Sequence, residues 1–212
     1  MSEVVLYDYW RSSASYRVRI ALNLAGIAYR AVSVDLRVGE QKSQDHIGRN
    51  PQGLVPVLEI DGQRLTQSLA IIDYLDQTRG MGLLPTDPAL RAKAAALAQS
   101  IAVDVHPVCN LSVAQYATKL SEGAEGMPGD WMRHFIRPGL LAFEALLTEF
   151  EQAPYCTGRN PGLADLCLIP QLYNARRYEV DLSNLPSILS VEAACAEHPA
   201  FAAAHPEANV PT

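Results

Sequence analysis

Apolar and polar residues alternate in short runs over the first 80 positions and in longer, helix-spaced runs afterwards. Val4 to Tyr7 and Tyr29 to Val34, rich in β-branched and aromatic residues, read as strands. Between them Val18, Ala21, Leu22 and Ala25 fall at i, i+3, i+4 and i+7, which predicts one buried face on a helix from Ala14 to Gly26. A loop holding Gly39 and a short helix ahead of Asn50-Pro51 follow. Val57 to Ile60 and Gln63 to Thr66 flank Asp61-Gly62, a two-residue hairpin signal. A helix then runs from Ser68 to about Thr78, with Ile71, Ile72 and Leu75 on its apolar face. This β-α-β-α-β-β-α order predicts an α/β domain over residues 1–80, built on a mixed sheet.

Beyond it the composition shifts to Gly, Leu, Pro and Thr, which marks a linker at 81–87, and strand signals stop. Leu90 to Leu120 reads as one Ala- and Leu-rich helix, bent near His106-Pro107 because proline lacks a backbone donor. Ser121 to Gly129 interrupts the pattern. Trp131 to Glu151 and Leu163 to Arg177 read as two more helices, the second bent or divided at Pro170, and a last helix follows Pro186. No segment repeats. Residues 88–212 are therefore expected to form an all-α domain.

The chain's 212 residues suffice for a large core, and a formal net charge of −6 argues against nucleic acid or an anionic membrane as partner. No apolar run reaches the roughly 18 residues of a membrane span. The sequence enters its first strand with no basic leader or cleavage signal. Cys109, Cys156, Cys167 and Cys195 form neither a CxxC pair nor a zinc pattern, so no metal is expected and a CxxC oxidoreductase is excluded. Widely spaced thiols of this kind fit a reducing cytoplasm.

The chemistry-bearing residues cluster at predicted helix starts. Arg11-Ser12-Ser13 precedes the first helix, and Gln67-Ser68 opens the one after the hairpin. Serines there act as helix caps, or as donors that join the free backbone N–H groups in holding an anion or thiolate. Val55-Pro56 is a proline turn just before a strand. His106 and Asn110-Leu111-Ser112 lie on the long helix, as packing residues or as ligands, and the pKa of histidine near neutrality suits proton transfer. Arg176-Arg177 is either a solvated helix end or a carboxylate ligand. Asp165, after Gly162 in the cap position, reads as part of a weakened capping box and as structural.

The run Arg11-Ser12-Ser13-Ala14-Ser15-Tyr16-Arg17-Val18-Arg19 closely resembles the serine-rich signature of zeta-class glutathione transferases, which include maleylacetoacetate and maleylpyruvate isomerases. Val55-Pro56, Gln67-Ser68 with Ala70-Ile71 and Tyr74-Leu75, and Asn110-Leu111-Ser112 extend the resemblance from Leu6 to about His205. It implies a thioredoxin-like domain with a mixed four-stranded sheet, a helical C-terminal domain, and a cytoplasmic homodimer. Glutathione is the implied cofactor. Ser12 would contact its thiolate beside Ser13, Val55 would meet its cysteinyl main chain beside a cis Pro56, and Gln67 and Ser68 would grip its γ-glutamyl end. Gln41 falls near the glycyl end, with His106, Asn110 and Ser112 on a facing helix. Whether Asp104 reaches the glutathione of a second subunit is open.

Two departures matter. Ala14 stands where the familiar pattern has cysteine, so glutathione alone must supply sulfur, and Arg176 stands where it has an acidic residue. In the implied reaction, thiolate addition turns a cis double bond into a single one, rotation follows, and expulsion gives the trans product. Arg11, Arg176 or His106 would bind carboxylates or steady the developing oxygen anion. Ala14 and Arg176 look like the bacterial maleylpyruvate enzymes, which implies conversion of maleylpyruvate to fumarylpyruvate in gentisate-type aromatic breakdown. The alternatives are a maleylacetoacetate isomerase, a detoxifying transferase or α-haloacid dehalogenase, and a non-catalytic interaction module. Intact Ser12, Ser13, Gln67 and Ser68 speak against the last.

Overall fold

The computed structural model of the chain describes residues 3–151 and 153–211. They form two compact units, one reaching Met81 and taking in the chain from His198 onward, the other Gly82–Glu197.

In the first unit, β1 (Val5–Asp8), α1 (Ser13–Leu24), β2 (Arg30–Ser33), α2 (Gln44–Arg49), β3 (Val57–Ile60), β4 (Gln63–Thr66) and α3 (Ser68–Arg79) follow the predicted order. The sheet order is β2-β1-β3-β4. β1 and β2 are parallel, joined through α1, and the other two pairings are antiparallel, giving the expected mixed sheet. Asp61 and Gly62 both take positive φ, 52° and 75°, as a tight two-residue hairpin requires.

The second unit holds α4 (Pro88–Gln99), a π-helical turn (Ser100–Val105), α5 (His106–Val108), α6 (Leu111–Leu120), α7 (Met127–Leu147), α8 (Leu163–Arg177) and α9 (Pro186–Glu197). At its core lies α8, whose Leu166, Cys167, Leu168 and Leu172 are fully buried against α4, α7 and α9. It runs undivided through Pro170. The single bent helix expected over Leu90 to Leu120 is not formed. Helical geometry widens to the π turn at Ser100, Pro107 removes one donor, and α6 starts afresh at the N-cap Asn110. α7 crosses the π turn at close range. A Cβ on Gly139 would lie 2.3 Å from Val105 Cγ2. It also starts and ends earlier than the sequence pattern indicates, because Gly126 at φ 79° and Pro128 form a ready N-terminus.

The C-terminal stretch corrects the expected domain limits. α10 (Pro199–Ala204) and a 3-10 turn (Pro206–Asn209) belong with the α/β unit, so the all-α unit ends at Glu197. α10 packs on α1, where Asn23 Nδ2 donates to Ala200 O (3.0 Å) and Arg19 Nε to Ala204 O (3.0 Å). With α3 also packed on it, α1 is buried on nearly every side rather than along one stripe, and Arg17 and Arg19 are enclosed with the apolar residues. All four cysteines are buried free thiols. No described helix is long and apolar enough to cross a membrane.

Candidate active site

Strand register gathers three candidate elements at one end of the sheet. Tyr7 pairs with Val57, and Val57 with Thr66. At this end β1 leaves the sheet toward Ser12, β3 enters it just after Val55-Pro56, and β4 leaves it into Gln67-Ser68. The N-termini of α1 and α3 therefore converge beside the Val55–Pro56 bond, which is cis.

Ser12 is the N-cap of α1, its Oγ accepting from Ser15 N at 3.2 Å. That bond uses the oxygen's lone pair and leaves the hydroxyl proton available to donate. Ser13 is buried behind it, and no acidic residue sits in the first turn to compete for the helix dipole. Arg11 is exposed, its guanidinium 4.1 Å from the centre of the Trp10 ring, and it forms no ion pair among the described residues. The loop carrying these residues is held by Arg19, which bonds Asp8 Oδ2 (2.6 Å) and Trp10 O (2.9 Å). Burial pushes the Asp8 carboxyl above its ordinary value, and Arg19 pulls it back only in part.

Two buried side chains of α2 and its C-cap fix the segment before Val55. His46 Nε2 and Asn50 Nδ2 each lie 2.9 Å from Leu54 O, so both donate to that carbonyl. Gly53 sits at φ +63°, and a Cβ there would come within 3.2 Å of Gln41 O and Ile47 Cδ1. Gln41 lies on a 3-10 turn (Glu40–Lys42), its side-chain oxygen buried. Gln67, at φ 65°, donates through Nε2 to Gln52 Oε1 (2.8 Å), and Ser68 accepts from Arg17 Nη1 (3.3 Å). Arg11, Ser12, Ser13, Gln41, Val55, Gln67 and Ser68 thus all belong to the first unit.

The remaining candidates lie in the second unit. His106, half-buried, opens α5. Asn110 does not sit within a helix as expected. It caps α6, its Oδ1 accepting from the N–H of the exposed Ser112 (3.3 Å). Trp131 Nε1 ties this break to α7 by donating to Val108 O (2.8 Å). Asp104 is exposed. Arg176, at the end of α8, is held by Glu192 of α9 in a two-pronged ion pair, its Nε 2.9 Å from Oε1. Asp165 accepts the N–H groups of Gly162 (2.8 Å) and Cys156 (2.9 Å), half a capping box completed from a second segment, and its burial raises its pKa.

Sequence reasoning missed Arg17, Arg19, His46 and Asn50. For the two arginines a signal existed. They flank Val18 on both sides of the predicted apolar face, where a merely solvated helix has no need of two such cations.

An α/β unit with this sheet order, followed by an all-α unit, is the architecture of a glutathione transferase. Residues 2–77 match the family model described as the glutathione S-transferase N-terminal domain. Over 99% of both chains the sequence is 53% identical to a maleylacetoacetate isomerase of Rhizobium meliloti. The fold superposes with a TM-score of 0.94 on the holo structure of a bacterial zeta-class maleylpyruvate isomerase, 40% identical, covering 98% of this chain and 99% of that one. It also matches a maleylacetoacetate isomerase of Methylobacterium extorquens AM1 with bound malonate and glutathione, at a TM-score of 0.91 and 38% identity over 97% of each chain. The chain belongs to the glutathione S-transferase family and, within it, to the zeta class.

Proposed function

We propose that this protein is a glutathione-dependent cis–trans isomerase of maleyl-substituted keto acids. The observation that carries this reading is the convergence of the α1 and α3 N-termini beside Val55 at one end of the sheet. Those residues fit glutathione by their donor chemistry. Ser12 and Ser13 would hold its thiol, the Val55 main chain its cysteinyl peptide, Gln67 and Ser68 its γ-glutamyl carboxylate, and Gln41 its glycyl end. His106, Asn110 and Ser112 are further candidate ligands from the second unit. Glutathione, when bound, supplies the thiolate that adds to the alkene, permits rotation and departs unchanged.

The chain's part begins with ionisation. A free thiol near pKa 8.5 is only a few per cent ionised at neutral pH, and lowering it to about 7 requires roughly 2 kcal/mol. A hydroxyl donor and a helix N-terminus together are of that size. No cysteine of this chain can stand in, since all four are buried and burial pushes Cys109 up to about 11. Arg11, exposed and outside the ion pairs described above, is the foremost ligand for a substrate carboxylate. Arg176 would first have to release Glu192. His106 and Arg176 remain the other groups proposed to steady a developing oxygen anion.

Maleylpyruvate is the substrate proposed first, supported by Ala14, by Arg176 and by the likeness to the maleylpyruvate isomerase. Maleylacetoacetate is the second, favoured by the 53% identical relative. The same reading makes the protein a cytoplasmic homodimer. The test follows both substrates with and without glutathione, beside a chloroaromatic electrophile. Isomerisation that requires glutathione without consuming it is expected, fastest with maleylpyruvate. Net glutathione loss to the electrophile without isomerisation would make it a conjugating transferase instead.

A further inference from the structure

We infer that Arg17 is a positioning residue for γ-glutamyl recognition, acting through the Ser68 hydroxyl. This rests on the proposal that Ser68 meets the γ-glutamyl carboxylate of glutathione. Arg17 lies in the middle of α1 at 1% exposure, and its Nη1 is 3.3 Å from Ser68 Oγ. Ser68 is itself buried, in the first turn of α3. A hydroxyl has one proton and two lone pairs, whereas a guanidinium only donates. Arg17 therefore occupies one lone pair of Ser68 and turns the hydroxyl proton away from itself, toward another acceptor. The first turn of α3 contains no acidic residue that would consume that proton or the free N–H groups beside it.

Charge strengthens the effect. A cation held in a low-dielectric interior is weakly screened, so a carboxylate docking on Ser68 feels it through a short, polarised hydrogen bond. A neutral residue in place of Arg17 leaves the hydroxyl free to turn its proton elsewhere and removes that attraction. Arg17 thus connects the helix that carries Ser12 to the helix that opens at Ser68. In this arrangement it is a determinant of affinity for a γ-glutamyl carboxylate rather than of the chemistry at sulfur.

The experiment compares glutathione with γ-aminobutyryl-cysteinylglycine, which lacks that carboxylate, on wild type, Arg17→Gln, Arg17→Lys, Ser68→Ala and the Arg17→Gln/Ser68→Ala double variant. Wild type is expected to prefer glutathione. Arg17→Gln should raise the KM for glutathione on the order of tenfold, the lower end of a charge-assisted bond, with kcat within about twofold and binding of the analogue little changed. Arg17→Lys, which keeps the cation and offers a second route should the Gln variant not fold, should retain most of the preference. The double variant should lose no more preference than Ser68→Ala alone. An Arg17→Gln protein that still prefers glutathione by the wild-type factor overturns the role of Arg17 while leaving the site intact. A wild type that binds both peptides equally overturns the Ser68 assignment and this inference together.

Discussion

Asp8→Ala isolates the buried pair that shapes the loop in front of Ser12. Arg19 is fully buried, with bonds to Asp8 Oδ2 (2.6 Å), Trp10 O (2.9 Å) and Ala204 O (3.0 Å). Removing Asp8 leaves the cation in the interior with only two carbonyl acceptors, and breaking a buried pair in this way costs about 3–5 kcal/mol. For a chain of this size that lowers Tm by roughly 6–20 °C. Asp8→Asn should behave differently. It keeps an acceptor for Arg19 and no longer desolvates an anion, so its cost should be about 1 kcal/mol.

The pH dependence follows from the same geometry. The native Asp8 carboxyl holds its proton to higher pH than the ordinary 3.8. The native state therefore binds more protons than the unfolded state in the window just above that value, and this group's contribution to stability falls as pH rises through it. Asp8→Asn lacks that slope and should gain on wild type across the window. Urea unfolding at several pH values measures all of this, with Glu3→Ala as control because Glu3 pairs with Arg30 (Nε to Oε1, 2.8 Å) at the solvent-exposed surface. An Asp8→Ala protein no less stable than the Glu3→Ala control would refute the burial argument. An Asn variant as damaged as the Ala variant would show that Arg19 requires charge rather than an acceptor.

Ser12→Ala should cost about 1 kcal/mol as a lost cap, yet raise the pKa of bound glutathione, read by thiolate absorbance, and lower isomerase turnover at least tenfold at neutral pH. A thiol reagent at pH 8 should leave all four cysteines of the native protein unlabelled and modify all four after denaturation, since burial alone leaves about one part in a thousand of Cys109 ionised near its value of about 11. Gly139→Ala should destabilise by about 1–2 kcal/mol despite better helix propensity, because its Cβ would meet Val105 Cγ2 at 2.3 Å, and Val105→Ala should restore part of that loss. Asp165→Ala should cost about 2–4 kcal/mol by leaving the N–H groups of Cys156 and Gly162 unpaired, a loss seen directly in the urea midpoint.

The α/β unit was legible because its signals are local. Strand runs of four residues, the Asp61-Gly62 turn and the apolar face of α3 are written within a few positions of each other. What the sequence pattern misread depends on distant partners. α1 looks amphipathic because two arginines interrupt its apolar run, and only partners distant in sequence show that both are enclosed, Ala204 of α10 for Arg19 and Ser68 of α3 for Arg17. The break at Asn110 was hidden for a related reason. A Pro in an Ala-rich run predicts a bend, while the π turn and the fresh cap lie against α7, which approaches Val105 at Gly139 and bonds Val108 O through Trp131, contacts no local pattern records.

The serines presented the sequence with a choice between capping and chemistry that the geometry makes unnecessary. A hydroxyl accepts and donates at once. Ser12 accepts from Ser15 N and Ser68 accepts from Arg17, so in both the fold takes one of the oxygen's two lone pairs and leaves the proton for another group. Holding the acceptor side fixed costs the site nothing in function, because it removes the orientations in which the hydroxyl would point back into the protein. A donor restrained in this way loses less entropy when an anion arrives, which favours binding of a thiolate or carboxylate over its neutral form. The capping bond and the proposed ligand contact are then two ends of one arrangement, and a serine at such a helix start is structural and functional for the same physical reason.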